Sequence, residues 1–276
     1  VSASAPFSFL KNRKHNLERM TLGDLLYSFF TYYAVIVYIA VGITCLVLAV
    51  KWFENPLRML LAIAATTVVH PLGWFLSHRY VLHGRFLYKS PLTSALWKRV
   101  HFDHHQNPND LRVLFGALSN VLPVVGVVVL PMGWFIGGRA GAVSAMGAAM
   151  VMVCFYEFCH CIQHLNYTPE LGFLKEIKRL HLSHHYHNEQ GNYGITNYLW
   201  DRLFGTYYAR AGDVPKSPTV FNLGYTAEEA QRYPWVDRLS GGTRGDGHPR
   251  RFWDGQDPES VQTVGDEPAH AAGSKG

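Results

Sequence analysis

Residues 25–50 carry no charged side chain, a run of 26 positions that is almost wholly apolar. At about 1.5 Å per residue, such a helix exceeds the roughly 30 Å hydrocarbon core of a bilayer and can cross it with tilt. Three further stretches have the same character, at about 57–77, 113–136 and 140–164. The last two are separated only by Gly137-Gly138-Arg139, read as a tight turn between close-packed helices rich in Gly and Ala. One long interrupted element over 113–164 is the alternative. Only an even number of crossings returns the chain to the side on which it began, which favours four. With 48% hydrophobic and 16% charged residues the chain suits a membrane better than water. The expected fold is therefore all-α and integral to the membrane, with about four transmembrane helices.

The basic residues are unevenly placed. Lys11, Arg13, Lys14 and Arg19 precede the first span. Arg79, Arg85, Lys89, Lys98, Arg99 and Arg112 follow the second, and Lys175, Lys178 and Arg179 follow the fourth. The other side has only Lys51, Arg58 and Arg139. This is a positive-inside pattern, and it puts both termini on the cytoplasmic face. No aromatic-basic nucleic-acid module is visible, so the net charge of +5 is attributed to topology and no nucleic-acid partner is expected. The polar start runs into a span too long for a signal h-region, so no cleavable leader is expected. Cys45, Cys154, Cys159 and Cys161 fall in or at the ends of spans and read as small buried residues in a reducing compartment. Cys159 and Cys161 flank His160, and contact with a metal site is a minor alternative.

Ten of the fifteen histidines fall in four clusters on the basic side. Two are repeats of one word, H-x-x-H-H: His101, His104, His105 and His181, His184, His185. Each word has a pair upstream, His78 with His83 and His160 with His164. On a helix, residues three and four apart share a face, so each triplet is expected to converge on one point. His78 and His83 are five apart and would diverge by about 140° on a straight helix. The helix should therefore end or bend between them, and Gly84 suits that. Ser90 with Pro91, and Thr168 with Pro169, are expected to cap and open the helices that deliver the triplets. In the second, Leu171, Leu174 and Ile177 form an apolar stripe. His70, inside the second span before Pro71, is read as a packed residue.

Imidazole suits iron, zinc, copper and nickel, and ten imidazoles exceed the four ligands of a structural zinc site. More than six ligands implies more than one metal, so a dinuclear catalytic site is expected. A structural zinc site and a surface pH sensor are the plainer alternatives. Neutral imidazoles leave metal charge uncompensated, so nearby carboxylates should orient ligands or offset it. The candidates are Asp103, Asp110 and Glu157. An ion pair with Arg112 is the plainer role for Asp110.

These residues together resemble the fatty acid hydroxylase and sterol desaturase superfamily of membrane di-iron enzymes. The resemblance runs through H-R-Y-V-L-H (78–83), H-F-D-H-H-Q-N-P-N-D (101–110), Y-E-F-C-H-C-I-Q-H (156–164), H-L-S-H-H-Y (181–186) and G-I-T-N-Y-L-W-D-R-L-F-G-T (194–206). The five-residue step from His78 to His83, with Pro108 and Asp110 after the first triplet, is most similar to the fatty acid 2-hydroxylase branch. The chain departs from that pattern in the early position of Arg112 and in Phe115-Gly116, near where paired prolines usually stand. No cytochrome b5 domain is seen.

The resemblance implies four spans under a cytoplasmic helical cap. It also implies two iron ions, or zinc in the isolated protein, ligated by His78, His83, His101, His104, His105, His160, His164, His181, His184 and His185. Trp200-Asp201 and Phe204-Gly205-Thr206 would be structural, and Asp103 and Glu157 would tune the site. His187 is an additional candidate beside it. The activity implied is hydroxylation, with dioxygen as co-substrate, of an unactivated C–H bond in a membrane lipid. The acyl chain of a fatty acid or sphingolipid-like lipid is favoured, at carbon 2. Desaturation, a sterol, hopanoid or carotenoid substrate, and a non-catalytic zinc protein are the alternatives. Electrons would come from a separate donor, a cytochrome b5-like protein or a ferredoxin with its reductase. A bacterial inner membrane is favoured over the endoplasmic reticulum. Residues 1–23 are expected to form a basic lead-in, 24–208 the membrane domain and 209–276 a tail, largely disordered beyond about 234.

Overall fold

The computed structural model describes residues 16–240, so Lys11, Arg13, Lys14 and the tail from 241 lie outside the described residues. Among the described residues every regular element is helical. The chain enters through α1 (Leu22–Phe30), opened by a reciprocal cap in which Thr21 Oγ1 accepts from the Asp24 amide and Asp24 Oδ2 from the Thr21 amide. The apolar run at 25–50, expected as one helix, is broken. Thr31 turns its hydroxyl back onto the Tyr27 carbonyl at 2.7 Å, and Tyr32 is extended and stacks on Phe115 at 4.1 Å. The crossing helix is α2 (Tyr33–Lys51), and α1 is a separate short helix before it.

Asn55 caps α3 (Pro56–Leu76), accepting from the Arg58 amide at 3.1 Å, with Pro56 in its first turn. Inside α3, His70 accepts from the Trp74 indole at 3.0 Å, in keeping with a packed role. α4 (Pro91–Trp97), α5 (Asp103–Gln106) and α6 (Leu111–Leu114) form the first half of the cap. Ser90 accepts from the Leu92 amide at 3.2 Å, as the S-P signal requires, and the helical stretch ends at Asn107.

α7 (Leu118–His164) belongs to an apolar stretch, Leu111–His164, of 54 residues. A straight helix of that length would run about 80 Å, well beyond one bilayer core. It folds back at Gly137 and Gly138, whose backbone leaves the helical region and, at Gly138, takes φ +60°. The return is visible in the packing. A Cβ at Gly133 would lie 2.6 Å from the Gly141 carbonyl and 2.7 Å from Ala145 Cβ, and the Gly116 amide reaches Glu157 Oε1 at 3.1 Å. α7 is thus a pair of antiparallel arms, and with α2 and α3 the chain crosses four times. Small residues line these contacts: Gly42 stands against Met150 and Gly147 against Cys45. The outward faces are apolar, with Ile43 58%, Val127 75% and Phe135 92% exposed. Lipid is the solvent that such a surface fits, and the protein is a membrane protein. A groove of about 1140 Å³ opens between α1–α2, α3 and the returning arm of α7.

α8 (Gly172–Tyr186) begins later than Thr168-Pro169 suggests, with Leu171 at its N-cap and no side-chain cap. Residues 165–167 between the two helices have their backbone engaged outside any helix. Lys178 Nζ donates to the carbonyls of Ile162, Leu165 and Tyr167 at the end of α7, and the Asn166 amide to Leu17. The ordered unit also extends past residue 208. α9 (Leu199–Leu203) is followed by α10 (Ala227–Arg232) and α11 (Trp235–Ser240). Leu223, Tyr225 and Val236 pack with Tyr88, Trp97 and Phe102. Burial of these apolar side chains is what makes 209–240 part of the cap and not a loose tail.

Candidate metal centre

Two helices of the cap and the ends of two spans bring all ten histidines together, and they sort into two groups of five. His78, His83, His101, His105 and His184 form the first, and His104, His160, His164, His181 and His185 the second. Within each group, one ring nitrogen per residue lies within 4.8 Å of all the others. The groups share a wall, with His105 and His185 stacked at 4.2 Å. Nine of the rings are buried and His83 is half-buried. His187 joins neither group and sets its Nε2 against the Val214 carbonyl at 2.8 Å. Neither group contains a cysteine; Cys159 and Cys161 turn into apolar clusters instead.

The triplets do not converge as single units. His101 and His105 go to one group and His104 to the other; His181 and His185 share a group and His184 crosses. The reason is helical geometry. Residues at i and i+4 lie one above the other, whereas the middle histidine is rotated about 100° from its neighbour. Each group therefore holds an upstream pair, the outer two of one word and the middle residue of the other. The five-residue step is also solved differently from expectation. Ser77–Leu82 winds as a π-helix, and the His83 amide donates to the His78 carbonyl at 3.0 Å. This i→i+5 winding returns residues five apart to one face, so the helix need not end between them. A second π-helical turn, Lys98–Phe102, carries His101.

The donor sets fit metal ions. Two ligand nitrogens at about 2.0–2.1 Å from a shared ion stand about 3 Å apart when adjacent. His78 and His83 Nε2 are 3.2 Å apart, His83 and His101 Nε2 2.8 Å. In the second group His104 and His160 Nε2 are 3.1 Å apart, His164 and His181 Nε2 2.9 Å. Ring tautomers in the first group are fixed by carbonyls, which can only accept. His78 Nδ1 faces Tyr193 O at 2.6 Å, His105 Nδ1 faces Val220 O at 3.0 Å and His184 Nδ1 faces Gly191 O at 2.7 Å. Each Nδ1 thus holds the proton and each Nε2 presents a lone pair inward. The Nε2 atoms of His105, His184 and His185 are buried without a protein partner, a cost that a metal ion would offset.

Burial, above all, holds His83, His101, His104, His105, His181 and His185 well below the ordinary imidazole pKa, and neighbouring histidines lower them further. His184 is pushed down to about 4, mainly by burial, with the Gly191 carbonyl opposing. These rings are neutral at physiological pH, the state in which imidazole ligates.

The carboxylates named from sequence stand outside the two groups. Asp103 takes Lys98 Nζ on both oxygens, at 2.6 and 2.7 Å, in a buried ion pair. Glu157 accepts the Gly116 amide, and its second oxygen is buried without a hydrogen-bond partner. Asp110 pairs with Arg112 at 2.8 Å and caps α6. Sequence reasoning missed the three carbonyls that hold the first group, because a backbone acceptor has no residue signature. It also missed Tyr193, whose ring packs on His83 at 5.2 Å and His78 at 5.5 Å.

A family model described as fatty acid hydroxylase matches residues 63–206. The chain belongs to that family. It is 32% identical over 137 residues to the ceramide very long chain fatty acid hydroxylase SCS7 of Saccharomyces cerevisiae, covering 47% of this chain and 33% of that protein. Identity to the dihydroceramide fatty acyl 2-hydroxylase FAH2 of Arabidopsis thaliana is 32% over 141 residues, covering 49% and 57%. For the fatty acid 2-hydroxylase of Homo sapiens it is 28% over 137 residues, covering 48% and 35%. The chain thus spans between a third and a little over half the length of these curated relatives. The solved structure titled full length scs7p, with only the hydroxylase domain visible, superposes with a TM-score of 0.57 at 24% identity. That superposition covers 68% of this chain and 69% of the other, and it shows a shared fold.

Proposed function

We propose that the protein hydroxylates an unactivated C–H bond in the acyl chain of a membrane lipid, with carbon 2 of a fatty acid or sphingolipid-like lipid favoured. One observation carries the reading: ten histidines, in a chain of the fatty acid hydroxylase family, close into two adjoining five-nitrogen groups at the end of apolar spans. The two groups would hold two iron ions, which would supply the reductive activation of dioxygen. One oxygen atom would enter the C–H bond and the other would leave as water, with two electrons delivered one at a time by a redox donor and two protons taken up from solvent. That donor is cytochrome b5-like, or a ferredoxin with its reductase. Neutral five-imidazole sets suit iron, and zinc can occupy them in isolated protein.

The residues of this chain have distinct tasks. His78, His83, His101, His105 and His184 hold one ion; His104, His160, His164, His181 and His185 hold the other. Asp103 acts one layer out, bridging to Lys98 across the π-helical turn that carries His101. Glu157 ties the start of α7 to its end, one turn before His160. Acyl chains approach from the bilayer between α3, the returning arm of α7 and the 193–197 segment. Trp74, Phe75, Tyr156 and Tyr193 leave a cavity of only about 10 Å³ there, room for one water, so these side chains must part to admit a chain. Tyr156 lies 6.0 Å from the His160 ring, which puts this cavity beside the histidines. The large groove lies along Phe155 and Phe158, on a different side of α7 from His160. With the positive-inside charge pattern, the histidine side faces the cytoplasm.

The test is lipid mass spectrometry on cells expressing the protein, against cells expressing the His184→Ala, His185→Ala variant. A lipid class that gains one oxygen only with the intact protein supports the reading and names the substrate. Loss of two hydrogens would make the protein a desaturase. No difference, with good expression and a supplied electron donor, would refute both.

A further inference from the structure

The two histidine groups are related in sequence pattern but not in support. In the first, three of five rings are locked through Nδ1 onto the carbonyls of Tyr193, Val220 and Gly191. In the second, Nδ1 of His104, His164, His181 and His185 is buried with no hydrogen-bond partner. Two of the three locking carbonyls belong to one short segment, 191–193, which would be free to shift without an anchor. Asn192 pins its middle through hydrogen bonds with Thr206 and Tyr208, and Asp201 pins its C-terminal end. The carboxylate accepts the Tyr193 amide at 2.8 Å, the Gly194 amide at 2.9 Å and the Thr206 hydroxyl at 2.8 Å. Asp201 is fully buried, and all three donors require oxygen acceptors. The carbonyls at Tyr193 and Gly191 thereby meet His78, at the end of a span, and His184, on α8.

From this geometry we infer that the two metal positions are inequivalent, and that Asp201 is a positioning residue for the first group alone. The inference rests on the two-ion reading above. Replacing Asp201 by Asn turns an amide N–H toward a backbone N–H, so the 191–194 segment loses a clamp. His78, which leans on the Tyr193 carbonyl, then loses its orientation, while Gly191 beneath His184 is still tied through Asn192. Outer partners of ligating histidines are typically worth 10–100-fold in metal affinity. The second group, whose nearest support is the helices themselves, is untouched.

The experiment is a chelator titration of purified, iron-loaded full-length protein with metal release measured by elemental analysis. Wild type is expected to release two equivalents per chain. Asp201→Asn should release one of them at about 10–100-fold lower chelator concentration and hold the other as wild type does. Asp201→Asn with His184→Ala should still hold one equivalent; Asp201→Asn with His185→Ala should hold close to none. Thr206→Val, which removes one donor only, should shift the same equivalent by less and serves if Asp201→Asn does not fold. Two unchanged equivalents in Asp201→Asn, or loss of both together, would overturn the assignment. Fewer than two equivalents in wild type would bring down the two-ion reading itself.

Discussion

A single methyl group separates four crossings from three. Gly133 sits in the first arm of α7, and an alanine Cβ there would stand 2.6 Å from the Gly141 carbonyl, 2.7 Å from Ala145 Cβ and 2.8 Å from Ala142 Cα. Two of these are backbone atoms that no rotamer can move. Carbon contacts are comfortable at about 3.5–4.0 Å, so the arms must part by about 1 Å. Overpacking of this kind costs about 1–3 kcal/mol, against a gain of up to ~1 kcal/mol from replacing glycine in a helix. The net expectation for Gly133→Ala is a loss of about 1–2 kcal/mol, or roughly 3–6 °C in Tm for a chain of this size. On one unbroken helix Gly133 and Gly141 would be about 12 Å apart, and the same change would be neutral or stabilising. Gly126→Ala is the control in the same arm: its Cβ would meet only Leu130 Cδ1 at 3.8 Å, so it should gain stability. Thermal unfolding of both variants in detergent decides the matter. If Gly133→Ala unfolds at or above the temperature of Gly126→Ala, the hairpin is wrong, and so is the reasoning that returns both histidine pairs to one side.

Three further outcomes follow from the geometry. In metal-free protein, His184 has a folded pKa near 4 against an ordinary 6.5, so only the unfolded chain gains the proton as pH falls between them. By linkage, stability is lost over that window by roughly 3 kcal/mol from this ring alone, and an unfolding temperature unchanged from pH 7 to pH 5 would contradict it. Lys98→Met should destabilise by about 3–5 kcal/mol by leaving Asp103 buried and unpaired, while Lys98→Met with Asp103→Leu recovers most of the loss; a chemical unfolding series on the two variants distinguishes them. Trp74 stacks on Tyr156 at 4.7 Å beside His160, so Trp74→Ala should spread hydroxylation over neighbouring carbons, read from fragment masses of the product lipid; an unchanged position would remove the acyl route from this side.

The crossing helices and the histidine set were legible because both are written in residue type. Charge-free length marks a span, and repeated H-x-x-H-H marks a metal site, whatever the fold does around them. What was not legible depends on backbone. The sequence pattern led to a triplet converging on one point, because i+3 and i+4 are both near neighbours; only the observed winding shows His104 and His184 crossing between groups. The π-helical turn at Ser77–Leu82 has no signature that sets it apart from an α-helix, yet it is what aligns His78 with His83. Thr168-Pro169 has the grammar of a helix start, but the helix opens three residues later, with Leu171 at its N-cap. The stretch from Pro234 reads as disordered because it is rich in Gly, Pro, Asp, Arg and Ser with few apolar residues; Val236 buries completely only once Trp97 and Phe102 are in place.

The cap is therefore not a lid added to a finished site. Leu17 accepts from Asn166 beyond the second histidine pair and donates to the Asn109 carbonyl beyond the first triplet, so one residue from before the first span ties both halves. His105 leans on Val220, in the segment after the last triplet, and Gln106 donates to the Phe221 carbonyl at 2.5 Å beside it. Each five-histidine group takes four rings from one half of the chain and one from the other. Neither group can be complete until both halves have docked, so assembly of the site and closure of the cap are the same event. Metal binding, which adds its free energy only to the closed arrangement, would add to the apolar contacts that dock the two halves.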